Sequence, residues 1–313
     1  MKLQTQIPLQ KQHNLIDYNS KLLLLGSCFA ENISEKFEYF KFQSVSNPFG
    51  ILFHPKAIEK FIKNAVNGFE YSEKDVFFHN EQWHCYDAHS KLSNVSKERL
   101  LSDLNENLKV ANNQICNATH IIITLGTAWV YSLLETENTV ANCHKIPQKN
   151  FNKSLLSVDA ICDAIKNSIE AVQSVNKNAS IILTVSPVRH IKDGFIENTQ
   201  SKAHLITAIH QISNHQITYF PSYEIMLDEL RDYRFYKEDM LHPNQTAIHY
   251  IWEKFQEVWM SSDALLIMKE VEVVQKGLAH KPFNPKSDAH LKFLHLLESK
   301  KEALELQFSH ILF

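Results

Sequence analysis

The sequence predicts an α/β fold, a three-layer, flavodoxin-like parallel sheet with helices on both faces and a C-terminal helical extension. Short apolar runs such as residues 22–25 alternate with longer segments of helical period such as residues 155–175. Runs that are apolar at every position are typical of parallel strands covered on both faces. Several runs stop at a small residue, as at Gly26, Gly126 and Ser186. Right-handed crossovers place such strand ends on one edge, where active-site loops collect.

The first predicted strand, residues 22–25, ends at Gly26 and precedes a segment with Phe29, Ile33 and Phe37 at four-residue spacing. That pattern predicts a tight glycine turn followed at once by a helix. Periodicity places the later elements in the same way. The other predicted strands are 120–125, 180–185 and 217–220; the predicted helices are 55–69, 96–112, 155–175, 200–213 and 243–259; 79–92 is predicted to be hairpin or loop.

The character of the chain changes after Trp259. We predict an α/β domain over residues 1–260 and a helical extension over 261–313 that packs on it, with a break near Pro282. The last helix carries apolar residues along one side, namely Leu294, Leu297, Leu304, Phe308 and Ile311. That side suits packing on the core or a homodimer interface.

Composition narrows the class of function. The 313 residues are 44% hydrophobic and carry a net charge of −3, so no general attraction to nucleic acid or to an anionic membrane is expected. The first residues are too polar for a secretory signal, and no run is long enough to cross a bilayer, so a cytoplasmic location is expected.

Cysteine and histidine spacing argues against a metal site or a disulfide framework. The five cysteines are scattered and include no Cys-x-x-Cys pair. No two of the 17 histidines stand three or four residues apart, the spacing that places two ligands on one helix face. We predict neither a metal nor an organic cofactor.

A serine and a distant Asp-x-x-His pair suggest catalysis. Ser27 follows the first strand, and Asp239 precedes His242 by three residues just before an amphipathic helix. Ser, Asp and His can act as nucleophile, orienting acid and general base. Capping of the following helix is the structural alternative for Ser27, although Ala30 stands where a full capping box needs Glu or Gln.

Other side chains are candidates for the same site. Cys28 is the rival nucleophile, but we expect its side chain to pack behind the sheet. Cys143 and His144 are adjacent and so rarely orient toward each other; they are expected to line the pocket or to pack. Asn142, His144 and Lys145 are candidate substrate contacts. After the strand 180–185 come two further candidates, Arg189 and His190. The Arg189 guanidinium would clamp a carboxylate, phosphate or sugar hydroxyl, or else pair with Asp193 or Glu197.

Residues 26–30, Gly-Ser-Cys-Phe-Ala, resemble the signature of the GSCFA family, which looks like a branch of the SGNH (GDSL-type) hydrolases. The resemblance covers roughly residues 20–260. It continues through ordered blocks at residues 47–50, 125–129, 142–145, 186–190 and 239–243. It implies that residues 1–260 form an SGNH-like catalytic domain with Ser27 as nucleophile and Asp239 and His242 completing the triad.

The same resemblance implies an oxyanion hole made by the backbone N–H groups of Ser27 and Gly50 and by a polar side chain from the block at residues 125–129. SGNH enzymes usually have Gly-x-Asn-Asp there, whereas Gly126 is followed by Thr127. The Thr127 hydroxyl or the Asn47 amide would then supply the third donor.

The expected function is that of an esterase-type serine hydrolase that forms an acyl-enzyme. The expected substrate is a small molecule or carbohydrate bearing a small O-acyl group. An O-acyltransferase using the same triad and a non-catalytic ligand-binding module on the same fold are the alternatives.

Overall fold

The computed structural model describes residues 4–213 and 217–313. Within these residues a five-stranded parallel sheet forms the centre of the molecule, as the sequence predicts. The strands are β1 (Lys21–Gly26), β2 (Gln43–Ser46), β3 (Phe77–His79), β4 (Gln82–His84), β5 (His120–Leu125), β6 (Trp129–Leu133), β7 (Thr139–Val140), β8 (Phe151–Leu155), β9 (Ser180–Val185) and β10 (Ile217–Phe220). The sheet order is β2-β1-β5-β9-β10, which is 2-1-3-4-5 when only its own strands are counted, the flavodoxin-like order.

Helices cover both faces of this sheet. They are α1 (Cys28–Tyr39), α2 (Pro55–Val66), α3 (Lys97–Asn117), α4 (Val158–Val175), α5 (Phe195–Ile212), α6 (Ser222–Glu224), α7 (Gln245–Trp259), α8 (Ser262–Ala279) and α9 (Asp288–Gln307). Leu23 and Leu25 of β1 pack in one core with α2, α3, α4 and α5. Leu22 and Leu24 point to the other face and pack with α1, α7 and α8. This alternation explains why β1 is apolar at successive positions.

Gly26 allows β1 to stop sharply beside β5. Its φ is +127°, and a Cβ at this position would lie 2.1 Å from the carbonyl oxygen of Thr124. Only glycine fits there without moving the neighbouring strand. The register pairs Gly26 with Thr124, and Leu125 with Val185, so β1, β5 and β9 end at one edge.

Sequence and structure agree closely for the central strands and differ elsewhere. β5, β9 and β10 begin and end at the predicted residues. However, α3 continues to Asn117 and α5 begins at Phe195, each five residues beyond its predicted end. A small antiparallel sheet, β7-β6-β8, is absent from the prediction because its short, partly buried strands lack a clear apolar run.

The C-terminal helices contribute to the core on the α1 and α7 side. Leu297 and Leu304 of α9 and the following Ile311 are buried there, whereas Leu294 is 43% exposed. Within the described ranges, no helix combines the length and the apolar character needed to cross a membrane.

Candidate active site

A cavity of about 430 Å³ opens at the edge where β1, β5 and β9 end. Its wall includes Cys28 at the start of α1, Thr127 after β5 and His242 in the turn before α7. The strand order reverses between β1 and β5. The chain goes from β1 to β2 on one side of this point, and from β5 to β9 and β10 on the other side. Ligands of open α/β sheets bind in the crevice at such a point.

Asp239 and His242 form a hydrogen-bonded pair in the turn before α7. Oδ2 of Asp239 lies 2.6 Å from Nδ1 of His242, and Oδ1 accepts the backbone N–H groups of Leu241 at 2.8 Å and of His242 at 3.0 Å. The N–H groups of His242 and Leu241 lower the pKa of Asp239 to about 2. Asp239 is therefore an anion at neutral pH and orients the imidazole.

Arg189 joins this turn to the loop after β9. Its backbone N–H donates to the carbonyl of Leu241 at 3.2 Å, and its Nη1 donates to the carbonyl of Met240 at 3.3 Å. The alternative salt bridge to Asp193 does not form, because Lys153 pairs with Asp193. Arg189 also lines the cavity, so its predicted role as an anion or hydroxyl clamp stays a prediction.

The structure places Ser27 outside the cavity wall. Its side chain is 0% exposed, and its Oγ accepts the backbone N–H of Phe29 at 3.3 Å. Its own N–H donates to the carbonyl of Thr124 at 3.0 Å. Ser27 is the N-cap of α1, which is the structural alternative to the predicted nucleophile.

Cys28, in contrast, lines the cavity and is partly exposed, so the expectation that it packs behind the sheet is wrong. The physical reason is the cap: Ser27 turns its hydroxyl back toward the first N–H groups of α1, and the next side chain emerges at the sheet edge. Burial and then Glu31 raise the pKa of the Cys28 thiol, while the positive charges of Lys202 and Lys237 act in the opposite direction.

Most of the predicted oxyanion donors are already engaged. The N–H of Gly50 donates to the carbonyl of Asn47 at 2.7 Å, and Gly50 does not line the cavity. The N–H groups of Gly126 and Thr127 both donate to the carbonyl of Phe53, at 2.8 and 3.1 Å. These prior hydrogen bonds leave no backbone donor at Gly50, Gly126 or Thr127 for a developing oxyanion.

The two polar side chains predicted as third donors differ in position. Asn47 is buried away from the cavity wall, and its Oδ1 accepts the N–H of Gly26 at 2.8 Å. Thr127 does line the cavity; its Oγ1 accepts the N–H of Trp129 at 3.0 Å and lies 3.1 Å from Oγ of Ser201. Of the two, Thr127 lines the cavity, whereas Nδ2 of Asn47 is buried without a hydrogen-bond partner among the described residues.

Asn142 lines the cavity, but His144 does not. Oδ1 of Asn142 accepts the backbone N–H of His144 at 2.8 Å, which leaves its Nδ2 directed elsewhere. The His144 side chain is buried, with Nε2 2.7 Å from the carbonyl of Cys85. Burial lowers the pKa of His144 to about 4, so it is a neutral structural residue. Of its two expected roles the structure shows packing, and its candidacy as a substrate contact is wrong.

Lys202, which is not among the predicted site residues, lies fully buried beside the cavity. Its Nζ donates to the carbonyls of Gly126 and Ser186, both at 2.7 Å, and so ties the end of β5 to the end of β9. Burial lowers the pKa of Lys202 to about 7. The sequence pattern that could have identified Lys202 is a cation on the inward face of α5, three residues before the buried Leu205.

His190 lines the cavity next to Gly126. Its backbone N–H donates to Oδ1 of Asn198 at 2.8 Å, and its Nε2 is buried without a hydrogen-bond partner among the described residues. Burial first, and then the charge of Lys202, lowers the pKa of His190 to about 3. The imidazole is therefore neutral at physiological pH.

Aromatic rings form another part of the wall. Trp129 and Tyr131 of β6 both line the cavity, and Nζ of Lys153 lies 4.8 and 5.9 Å from their ring centroids. The Trp129 indole N–H also donates to the carbonyl of Glu197 at 3.1 Å. These contacts hold the rings in place at the cavity.

Comparison with known proteins gives the family. A family model described as GSCFA family matches residues 21–255, and one described as GSCFA domain protein, C-terminal domain, matches residues 271–313. No curated protein matches the chain. The chain is also similar to the solved structure of an acetyl xylan esterase (Est2A) from the rumen bacterium Butyrivibrio proteoclasticus, at 12% identity and a TM-score of 0.36. That match covers 85% of this chain but 66% of the esterase, just under two thirds of its length.

Proposed function

The chain belongs to the GSCFA family, and we propose that it is an esterase-type acyl hydrolase whose active site is the cavity at the carboxyl edge of the sheet. The observation that carries the proposal is the hydrogen-bonded pair of Asp239 and His242 beside this cavity. A carboxylate bound to one ring nitrogen of histidine fixes the tautomer that makes the other nitrogen a base.

His242 would act as general base and general acid. With Nδ1–H donating to Asp239, Nε2 holds the lone pair that removes a proton from a nucleophile in the first turn of α1. The same nitrogen then returns that proton to the departing alcohol. Its side chain is 39% exposed, so water can reach the base for deacylation.

Three groups would stabilise the oxyanion. The first is the backbone N–H of Cys28 at the N-terminus of α1, where the helix dipole also favours negative charge. The second is Nδ2 of Asn142, since its Oδ1 is already used by the N–H of His144. The third is the hydroxyl of Thr127, which lines the cavity. Each well-placed donor of this kind contributes about 10²–10³ in rate.

The substrate we propose carries a small O-acyl group on a carbohydrate-like alcohol. A cavity of about 430 Å³ suits a ligand of this size. The rings of Trp129 and Tyr131 offer flat apolar surfaces to the sugar, and Arg189 offers donors to its hydroxyl groups.

The test is acetate release from p-nitrophenyl acetate and from peracetylated glucose by the full chain. His242→Ala is expected to lower kcat by about 10³-fold, because the base is lost. His249→Ala is the matched control, since this exposed residue of α7 pairs with Glu253 at 3.4 Å and does not line the cavity. Absence of hydrolysis by the wild type, or equal rates in the two variants, would refute the proposal.

A further inference from the structure

We propose that the nucleophile of this hydrolase is the thiol of Cys28 rather than a hydroxyl, so that the reaction passes through a thioester. This inference rests on the proposed function and specifies the chemistry of its first step. It comes from the different environments of two adjacent side chains, Ser27 and Cys28.

Access separates the two candidates. A nucleophile must meet the substrate carbonyl, and Cys28 lines the cavity that His242 also lines. Ser27 is 0% exposed, and its Oγ lone pairs are directed to the N–H of Phe29. Ser27 would have to give up the cap of α1 to reach a ligand, whereas Cys28 needs no rearrangement.

The position of the thiol at a helix N-terminus favours its anionic form during reaction. Cys28 is the first residue of α1, so its sulfur lies at the positive end of the helix dipole. Burial and the charge of Glu31 raise the pKa of this thiol, whereas Lys202 and Lys237 act in the opposite direction. Lys237 belongs to the same turn as Asp239, and its backbone N–H donates to the carbonyl of His242 at 2.7 Å.

Activation of this thiol requires a base. Burial raises the pKa of Cys28, so the resting group carries its proton at neutral pH. Transfer of that proton to His242 converts the thiol into the nucleophilic thiolate, as in other cysteine–histidine pairs. The pair formed by Asp239 and His242 supplies that function at the same cavity.

Cys143 is the competing thiol, because it also lines the cavity. Its sequence neighbour His144 directs its ring to the carbonyl of Cys85 and is buried. Burial raises the pKa of Cys143 to about 11. Cys143 does not begin a helix, so it lacks the helix N-terminus that Cys28 has.

The proposed reaction has an acylation step and a deacylation step. The proton of the Cys28 thiol moves to Nε2 of His242, and the sulfur forms a bond with the acyl carbon. The tetrahedral intermediate collapses, the bond from the acyl carbon to the alcohol oxygen breaks, and that oxygen takes the proton from His242. Water then attacks the thioester while His242 accepts its proton. The C–S bond breaks, the carboxylic acid leaves, and the thiol regains its proton.

Two measurements test the thiol. The full chain is incubated with p-nitrophenyl acetate, quenched in acid, digested and examined by mass spectrometry. We expect one acetyl group on the peptide at Cys28, removed by neutral hydroxylamine as thioesters are. Cys28→Ala is expected to lower kcat by about 10³-fold or more, whereas Ser27→Ala retains it within about threefold and loses thermal stability through the missing cap. An acetyl group on Ser27 or Cys143, or full activity in Cys28→Ala, would overturn the inference while leaving the hydrolase proposal intact.

A second readout does not depend on ester hydrolysis. Alkylation of Cys28 by iodoacetamide is expected to slow by about tenfold in His242→Ala, since the imidazole no longer takes the thiol proton. Cys143 in the same sample is the internal control, and its rate should not change. An unchanged rate at Cys28 would refute the thiol–imidazole pair even if the wild type hydrolysed no ester in the panel.

Discussion

The carboxylate of Asp239 contacts His242 twice: Oδ2 lies 2.6 Å from Nδ1 of the ring, and Oδ1 accepts the backbone N–H of the same residue at 3.0 Å. One side chain therefore fixes both the ring tautomer and the backbone of the turn. Arg189 adds a second restraint through the carbonyls of Met240 and Leu241. The imidazole is thus held before any ligand binds, as preorganised general bases are.

Replacement of Asp239 tests this restraint. Asp239→Asn is expected to lower kcat by about 10²–10⁴-fold with little change in KM, because the amide favours the wrong tautomer of His242. Steady-state hydrolysis of p-nitrophenyl acetate measures the effect. Asp232→Asn is the matched control, since this exposed carboxylate pairs with Arg234. Similar rates in both variants would show that the Asp239 carboxylate has no role in catalysis.

Gly26 gives a prediction about stability. Gly26→Ala is expected to lower the free energy of unfolding by about 3 kcal/mol or more, because the new Cβ would lie 2.1 Å from the Thr124 carbonyl oxygen at a φ of +127°. Gly68→Ala is the control: its φ is also positive, but nothing lies within 4 Å of the new Cβ, and we expect a loss of about 1–2 kcal/mol. Urea titration of both variants measures the difference, and equal losses would contradict the close approach of β1 and β5.

Protonation of the buried His54 is expected to lower the free energy of unfolding in acid. Nδ1 of this buried residue caps α2 by accepting the N–H of Ala57 at 3.1 Å, and burial lowers its pKa to about 4. The unfolded chain binds the proton at higher pH than the folded chain, so this contribution to stability is present above pH ~6.5 and falls as the pH drops toward 4. By pH 5 the loss is about 2 kcal/mol.

His54→Asn keeps a capping acceptor but removes the titration. The variant should therefore lose about 2 kcal/mol less than the wild type between pH 7 and pH 5, whatever its stability at pH 7. Urea titration at the two pH values gives the comparison. Parallel losses in the two proteins would mean that His54 is not neutral in the folded state.

Replacement of Trp129 is expected to weaken the binding of sugar substrates. Trp129→Ala is expected to raise KM for a peracetylated sugar by about tenfold, because it removes a ring available for stacking, while p-nitrophenyl acetate is less affected. Trp129→Phe should recover most of the loss, since it restores a flat ring but not the indole N–H that donates to Glu197. Tyr233→Ala is the control, an exposed ring outside this cavity. Equal KM values for all three variants would contradict the stacking surface.

The central sheet was predictable because its strands are apolar at successive positions, as in β5 and β9, and this pattern depends only on local sequence. The orientation of the Ser27 and Cys28 side chains was not predictable, because both residues belong to one turn. Which side chain faces inward depends on the residue at which α1 begins, and a shift of one residue exchanges their roles.

Non-local contacts decided the rest of the site. Whether the N–H groups of Gly126 and Thr127 are free depends on the carbonyl of Phe53, which lies far away in sequence. Lys202 is a polar position in an amphipathic helix, and only its two buried acceptors, the carbonyls of Gly126 and Ser186, reveal that it organises the strand ends. Local pattern marks Lys202 as a cation on the inward face of α5, but it does not identify the distant carbonyl groups that these donors contact.

The most direct test of the account is the separation of Sγ of Cys28 and Nε2 of His242 in a crystal structure of the full chain with an acetyl ester analogue in the cavity. We expect the two atoms within about 4 Å of each other, a hydrogen-bonding distance for sulfur, with the analogue's carbonyl carbon beside the thiol. A separation beyond about 8 Å, or a carbonyl carbon seated against the Ser27 hydroxyl, would contradict a thiol–imidazole active site.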